Sequence, residues 1–141
     1  MGQRERLNAF LRGVKNQPFK LGQNDCLTFT NEACRVLYGY GFADEWKHRY
    51  MDGIRFLRQK ELKREFRAQT LVEFLDRNLV RAERPKYGTL VVTNKTEKWY
   101  VGGALGISTG SKSVFLGKSG LVSLSQDQVD AYWSLECPNT S

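Results

Sequence analysis

The sequence predicts one α+β domain in which N-terminal helices pack on a C-terminal antiparallel sheet. Over roughly the first half of the chain, apolar residues recur at helical spacing. From Leu79 onward they form short β-branched and aromatic runs broken by glycine, which is typical of strands. The connections between these runs are too short to hold crossover helices, so the pattern excludes a doubly wound sheet.

The first two helices have clear apolar positions and clear ends. The first should stop before Pro18, because the residue before a proline is pushed out of the α region. The second should be capped by Asn24 or Asp25 and should end at Gly39. The predicted buried positions are Leu7, Phe10, Leu11 and Val14 in the first helix, and Cys26, Phe29, Ala33, Val36 and Leu37 in the second.

Two more helices and a series of strands complete the expected domain. A highly charged helix is predicted over residues 53–66, and Thr70 should cap a short fourth helix that ends near Asn78. The predicted strands are 79–80, 89–93, 99–101, 104–107, 113–116, 121–124 and 132–135, with hairpin turns at 94–97 and 109–112.

The length of 141 residues, with 40% hydrophobic residues, allows one sizeable core and leaves no room for a second. We therefore expect a single domain over residues 1–137 and a flexible tail at 138–141. No apolar run approaches the roughly 20 residues that span a bilayer, so no membrane partner is expected. The first residues lack the apolar region of a secretory signal, which indicates synthesis and folding in a cytoplasm.

The cysteines and the single histidine limit the possible metal and disulfide chemistry. Cys26, Cys34 and Cys137 form no Cys-x-x-Cys pair, and His48 alone cannot complete a His/Cys cluster. Cys26 and Cys34 lie eight positions apart on one predicted helix, roughly 12 Å along its axis, which is too far for a disulfide. We therefore predict no disulfide framework, no metal site and no cofactor.

Cys26 is the sharpest candidate for chemistry, because it stands where a turn meets the start of a helix. Free amide groups and the helix dipole favour a thiolate there, as a nucleophilic cysteine requires. The competing interpretation is a small core residue in the first helical turn, since cysteine is among the most buried residue types. Spacing alone favours this second interpretation.

Three blocks of sequence resemble the NlpC-type papain-like cell-wall hydrolases. Residues 21–29, Leu-Gly-Gln-Asn-Asp-Cys-Leu-Thr-Phe, look like that family's nucleophile turn, in which Trp-Gly-Gly leads to Asp-Cys-Ser-Gly-Leu. Residues 85–92 resemble its Gly-Asp-Leu-Val strand, and residues 103–107 follow where it has His-Val-Gly-Ile, the general-base strand. The pattern from Arg4 to about Leu135 looks still closer to a family of short, uncharacterised phage-encoded proteins of this fold.

The departures from the hydrolase pattern concern its catalytic residues. Ala104 occupies the position of the family's catalytic histidine, Thr89 replaces its usual Asp, and Thr28 replaces the Ser-Gly after the nucleophile. An alanine can neither take a proton from the thiol nor return one to a leaving amine. His48 is the remaining candidate base, but only a loop folding back over the helix start would bring it within reach of Cys26. A lone histidine beside Lys and Arg is more often a surface residue.

The net charge of +7 is concentrated between Lys47 and Arg67, a stretch that contains eight basic and three acidic residues and so has a net charge of +5. A solvated helix face is the favoured explanation of such a stretch, and DNA or an acidic surface is the alternative partner. The candidate binding residues are Lys47, Arg49, Arg55, Arg58, Lys63 and Arg64.

The resemblance and the missing histidine together predict a non-catalytic structural or docking protein of a phage tail, neck or internal ejection assembly. It would be made in the host cytoplasm and then join the virion, with other virion proteins, or a ring of its own copies, as partners. One alternative is an active cysteine amidase or peptidase that cleaves peptidoglycan with Cys26 as nucleophile. A second is a basic nucleic-acid-binding protein, for which no groove-reading motif can be quoted.

Overall fold

The structure is a computed structural model that describes residues 2–17, 25–45, 51–52, 55–56, 59–94, 103–117 and 120–135. Within these ranges the helices are α1 (Gln3–Val14), α2 (Cys26–Tyr38), α3 (Gln59–Phe66) and α4 (Leu71–Asn78). The strands are β1 (Met51–Asp52), β2 (Arg55–Phe56), β3 (Val80–Arg81), β4 (Leu90–Thr93), β5 (Ala104–Ser108), β6 (Lys112–Gly117), β7 (Gly120–Ser125) and β8 (Ala131–Ser134). A single 3-10 turn, Gln126–Gln128, separates β7 from β8 in this part of the chain.

The described strands β3 to β8 form one six-stranded sheet in the order β3-β8-β4-β5-β6-β7. Every neighbouring pair in it is antiparallel. Helix α2 packs against both α1 and β5, so the N-terminal helices cover the sheet. The predicted α+β class is confirmed. No described helix has the length and apolar character needed to cross a bilayer.

Helix α1 both packs on α2 and completes its hydrogen bonding. Leu7 is fully buried as predicted, whereas Phe10, Leu11 and Val14, which were also predicted to be buried, are partly buried against the core. The side chains of Gln3 and Arg6 donate to the carbonyls of Leu37 and Val36, each at 3.1 Å. These carbonyls belong to the last turn of α2, where carbonyl oxygens have no hydrogen-bond donor within their own helix. Gly39 then ends α2 in the left-handed region, at φ 84°.

Helix α2 is buried on more sides than its apolar pattern predicts. Val36, predicted to be buried, is half-exposed, whereas Leu27 and Cys34 are buried. The polar Asn31 is also fully buried. Its side-chain amide donates to the Asp44 carboxylate at 2.8 Å and accepts from the Ala43 backbone amide at 2.7 Å. A buried amide with both ends bonded carries little penalty. These bonds fix the turn that follows the helix.

The prediction of a helix over residues 53–66 is wrong in its first half. Strands β1 and β2 pair antiparallel with Asp52 opposite Arg55, and α3 begins only at Gln59. Two residues, 53 and 54, separate Asp52 from Arg55 along the chain, and a glycine first in a two-residue connection is a hairpin signal. The charged pattern of the following helix concealed that signal in the sequence.

The strand predictions that fall on described residues are confirmed within one or two positions. The turn at 109–112 is also confirmed, because the Thr109 amide donates to the Lys112 carbonyl at 2.8 Å. The predicted strand 99–101, most of the turn 94–97 and the tail 138–141 lie outside the described residues.

The two faces of the sheet bury separate clusters, and this separation positions the candidate site. On the helix-facing side, the core includes Leu90, Val92, Leu105 and Ile107 together with α2 residues. On the other side, Val91, Ala104 and Phe115 form a second buried cluster. Glycine is required at position 106 on the side of the second cluster, because a Cβ there would lie 2.4 Å from the Phe115 ring.

Candidate functional site

The start of α2 is held by a reciprocal cap. Asp25 is the N-cap residue, and its carboxylate accepts from the Thr28 amide at 2.9 Å. The Thr28 hydroxyl in turn accepts from the Asp25 amide, also at 2.9 Å. Thr28, which departs from the hydrolase pattern, is therefore the second half of a capping box. The predicted cap at Asp25 is confirmed, and it places Cys26 at the first position of the helix.

The Cys26 side chain faces the protein interior. It is 1% exposed and lies in the main core. Burial is the main cause that raises the pKa of the Cys26 thiol from 9.0 to about 12. A hydrogen bond from the Leu105 backbone acts in the opposite direction and lowers this pKa, while the charge of Asp25 raises it. The group is therefore a protonated thiol at neutral pH.

Ala104 and Cys26 belong to opposite sides of the sheet. Strand alternation directs Leu105 toward the helices, where it shares the core with Cys26. It directs Ala104 toward the second cluster, beside Val91 and Phe115. The structure therefore brings Cys26 to the strand that the sequence indicates, but it does not bring the side chain of Ala104 to Cys26.

The other residues considered for acid–base chemistry have structural roles or lie elsewhere. Thr89 is buried, and its hydroxyl accepts from the Lys86 amide at 3.0 Å, which closes the turn before β4. His48 lies outside the described residues. Among those that the structure describes, no group of three His, Cys, Asp or Glu residues could hold a metal ion.

The comparison with protein families decides what this domain is related to. Residues 2–135 match the domain of unknown function DUF6950. The chain belongs to the DUF6950 family. No curated protein and no solved structure matches it. The match runs from the start of α1 to the end of β8, so it includes both the capped helix of Cys26 and the whole described sheet.

Two cavities of this DUF6950 domain are lined by described residues, and neither includes Cys26. One, of about 190 Å³, lies between the end of α2 and the turn before β4, with Tyr38, Tyr87 and Leu135 in its wall. The other, of about 230 Å³, lies between the end of α1 and β7. Cys34, the second described cysteine, is also buried and free, and burial raises the pKa of its thiol to about 11.

The basic candidates of the DUF6950 domain lie on and before α3. Lys63 is half-exposed and Arg64 is exposed on that helix. Arg55 lies in β2, while Lys47, Arg49 and Arg58 fall outside the described residues. Two further cations, Lys60 and Arg67, are exposed at the two ends of α3 and were not among the predicted binding residues.

Proposed function

We propose that this DUF6950 domain is a non-catalytic structural or docking protein of a phage particle, in a tail, neck or internal ejection assembly. It would use a degenerate NlpC-type papain-like fold in which the former nucleophile position has become part of the core. The observation that carries this proposal is the burial of the Cys26 side chain, which is 1% exposed.

A cysteine hydrolase needs a thiolate that can reach the carbonyl carbon of its substrate. With a pKa of about 12, the thiolate of Cys26 amounts to only about one molecule in 10⁵ at pH 7. At 1% exposure the sulfur also has no open surface on which a peptide could rest. Both requirements fail at the same atom, which favours a structural role over the amidase or peptidase alternative.

The degenerate fold is supported by the neighbourhood of Cys26. The thiol meets the backbone of Leu105, on the strand where the resemblance expects the general base, and the cap residues Asp25 and Thr28 lie in the nucleophile-turn block. The phage setting is supported by the resemblance of residues 4–135 to short phage-encoded proteins. Other virion proteins, or copies of this chain in a ring, would be its partners.

Cysteine-resolved alkylation tests the proposal. The folded chain is treated with iodoacetamide at pH 7.5, and peptide mass spectrometry measures the rate at Cys26 and Cys34. Both should react at similarly low rates, at least about 100-fold below their rates in urea, because both are buried. Peptidoglycan fragments should not be cleaved at a rate above that of the Cys26→Ala variant, with Cys34→Ala as the matched control. Selective fast labelling of Cys26, or turnover lost only in Cys26→Ala, would overturn the proposal.

A further inference from the structure

Helix α3 carries a face of positive charge. Lys60, Lys63 and Arg64 are spaced i, i+3 and i+4, which places them within an arc of about 100° on the helix. Arg67 follows at the end of the helix. Lys60, Arg64 and Arg67 are exposed and Lys63 is half-exposed. These four residues are called the basic face of α3 below.

The charge of this face is not neutralised by the residues that the structure describes. The ion pairs described in the domain join Arg35, Arg77 and Arg81 to acidic partners and include none of the four cations. Glu61 and Glu65, the acidic residues of α3, have other interaction partners. Four cations thus share one short surface without a described counter-charge, and their mutual repulsion favours an anionic ligand.

The conformation of Arg67 is a second, independent observation. The Ala68 amide donates to the Lys63 carbonyl at 3.1 Å and the Arg67 amide to the Arg64 carbonyl at 3.3 Å, the two bonds of a Schellman motif. Arg67 occupies its left-handed position at φ 53°, where glycine is the usual residue. The Arg77 guanidinium holds this backbone by donating to the Arg67 carbonyl. A strained, long cationic side chain in place of glycine points to a use for its charge.

We propose that the basic face of α3 is a contact surface for the phosphate backbone of double-stranded DNA. A rise of 1.5 Å per residue spreads the four cations over about 10 Å, or about one charge per 3.5 Å. Each strand of DNA carries a dense row of phosphates, and a compact group of cations on long side chains can neutralise several of them. The inference rests on the proposed function only for its setting, a particle that contains DNA.

The chemistry of the face favours DNA over an acidic protein. Protein interfaces depend on a buried centre rich in aromatic and apolar side chains. The basic face consists of four long cationic side chains, and none of these four residues is aromatic or aliphatic. The proposed contact is with phosphates, which carry no sequence information, so binding is expected to be independent of DNA sequence.

Salt-dependent binding of the full chain to a fluorescent duplex of 25 base pairs tests this inference. Four phosphate contacts predict a slope of log K against log salt of about −3.6, so affinity should fall about 150-fold between 50 and 200 mM NaCl. The double variant Lys60→Gln/Arg64→Gln should bring the slope to about −1.8. Its matched control, Arg12→Gln/Arg84→Gln, removes the same charge from exposed positions elsewhere and should leave the slope unchanged within about 0.5.

Arg67→Gly separates a binding role from a structural one. Relief of the left-handed conformation should raise Tm by about 1 to 3 °C, while the loss of one phosphate contact should reduce the slope by about 0.9. A raised Tm with unchanged DNA affinity would overturn the role of Arg67.

An equal loss of affinity in the control double variant would overturn the assignment to α3. Binding to poly-glutamate without binding to the duplex would overturn DNA as the partner. The proposed function is contradicted by a different result, selective fast labelling of Cys26. The two experiments therefore distinguish a failure of the DNA contact from a failure of the proposed function.

Discussion

Helices α2 and α3 differ in opposite directions in the motifs that their sequences carry and in the residues that they expose. Helix α2 carries the motif that resembles a catalytic turn, yet it is capped at both ends and its Cys26 lies in the core. Helix α3 carries no recognisable motif, yet it presents cations that have no described counter-charge. The comparison teaches that a motif shows where chemistry could occur, while burial and charge determine which surface is able to act.

The magnitudes at Cys26 explain why burial prevails there. A helix N-terminus stabilises a nearby negative charge by about 0.3–1 kcal/mol, and by about 2 kcal/mol in favourable buried geometry. The rise in the thiol pKa from 9.0 to about 12 corresponds to roughly 4 kcal/mol against the thiolate. Desolvation therefore exceeds the dipole, and the position that could activate a cysteine instead keeps its thiol neutral.

The largest expected difference between the two helices concerns stability. Phe29 of α2 is 2% exposed, and its ring stacks on Phe10 with centroids 5.9 Å apart. Phe29→Ala should lower the free energy of unfolding by about 3–5 kcal/mol through lost burial and a cavity. Arg64→Ala on α3 should shift Tm by less than about 2 °C. Urea and thermal unfolding of both variants give the comparison, and similar losses would contradict it.

Both ends of α2 and the end of α3 at Phe66 could be predicted from sequence, whereas the start of α3 could not. Asp25 and Gly39 are strong local signals, because a side-chain acceptor and a left-handed glycine satisfy the amides and carbonyls at helix ends. At α3 the charged pattern extended the predicted helix over a hairpin. The predicted end at Phe66 is confirmed, but the left-handed conformation of Arg67 that follows could not be predicted, because arginine carries no signal for it.

The effect of pH on stability is the next largest expectation. The folded chain keeps Cys26 protonated up to about pH 12, whereas the unfolded chain loses this proton near pH 9.0. Above pH 9.0 the unfolded state therefore binds fewer protons, so stability falls as pH rises. Between pH 7 and pH 10 this thiol should account for roughly 1 kcal/mol of lost stability.

Urea unfolding at both pH values measures the loss in the wild-type chain and in Cys26→Ala. The variant should lose roughly 1 kcal/mol less over this interval. An identical loss in the two proteins would mean that Cys26 titrates normally in the folded state.

The placement of the candidate site on the sheet was only partly predictable. Sequence order brought Cys26 and residues 103–107 together, and the structure places the thiol at the Leu105 backbone. The side of the sheet on which Ala104 lies could not be predicted from the sequence, because every residue of β5 is buried. A strand buried on both sides lacks the polar alternation that assigns its faces.

The smallest expected effect is the loss of the cap that begins α2. Asp25→Ala removes the acceptor of the Thr28 amide in a fully buried site, and it should cost about 1 kcal/mol of unfolding free energy. Asp25→Asn keeps a side-chain oxygen at the same place and should recover most of that loss, because asparagine is an equally good N-cap. Urea unfolding of the pair checks the cap. If the two variants lose the same stability, the carboxylate acts through its charge rather than as a cap, and the rigid start of α2 needs another explanation.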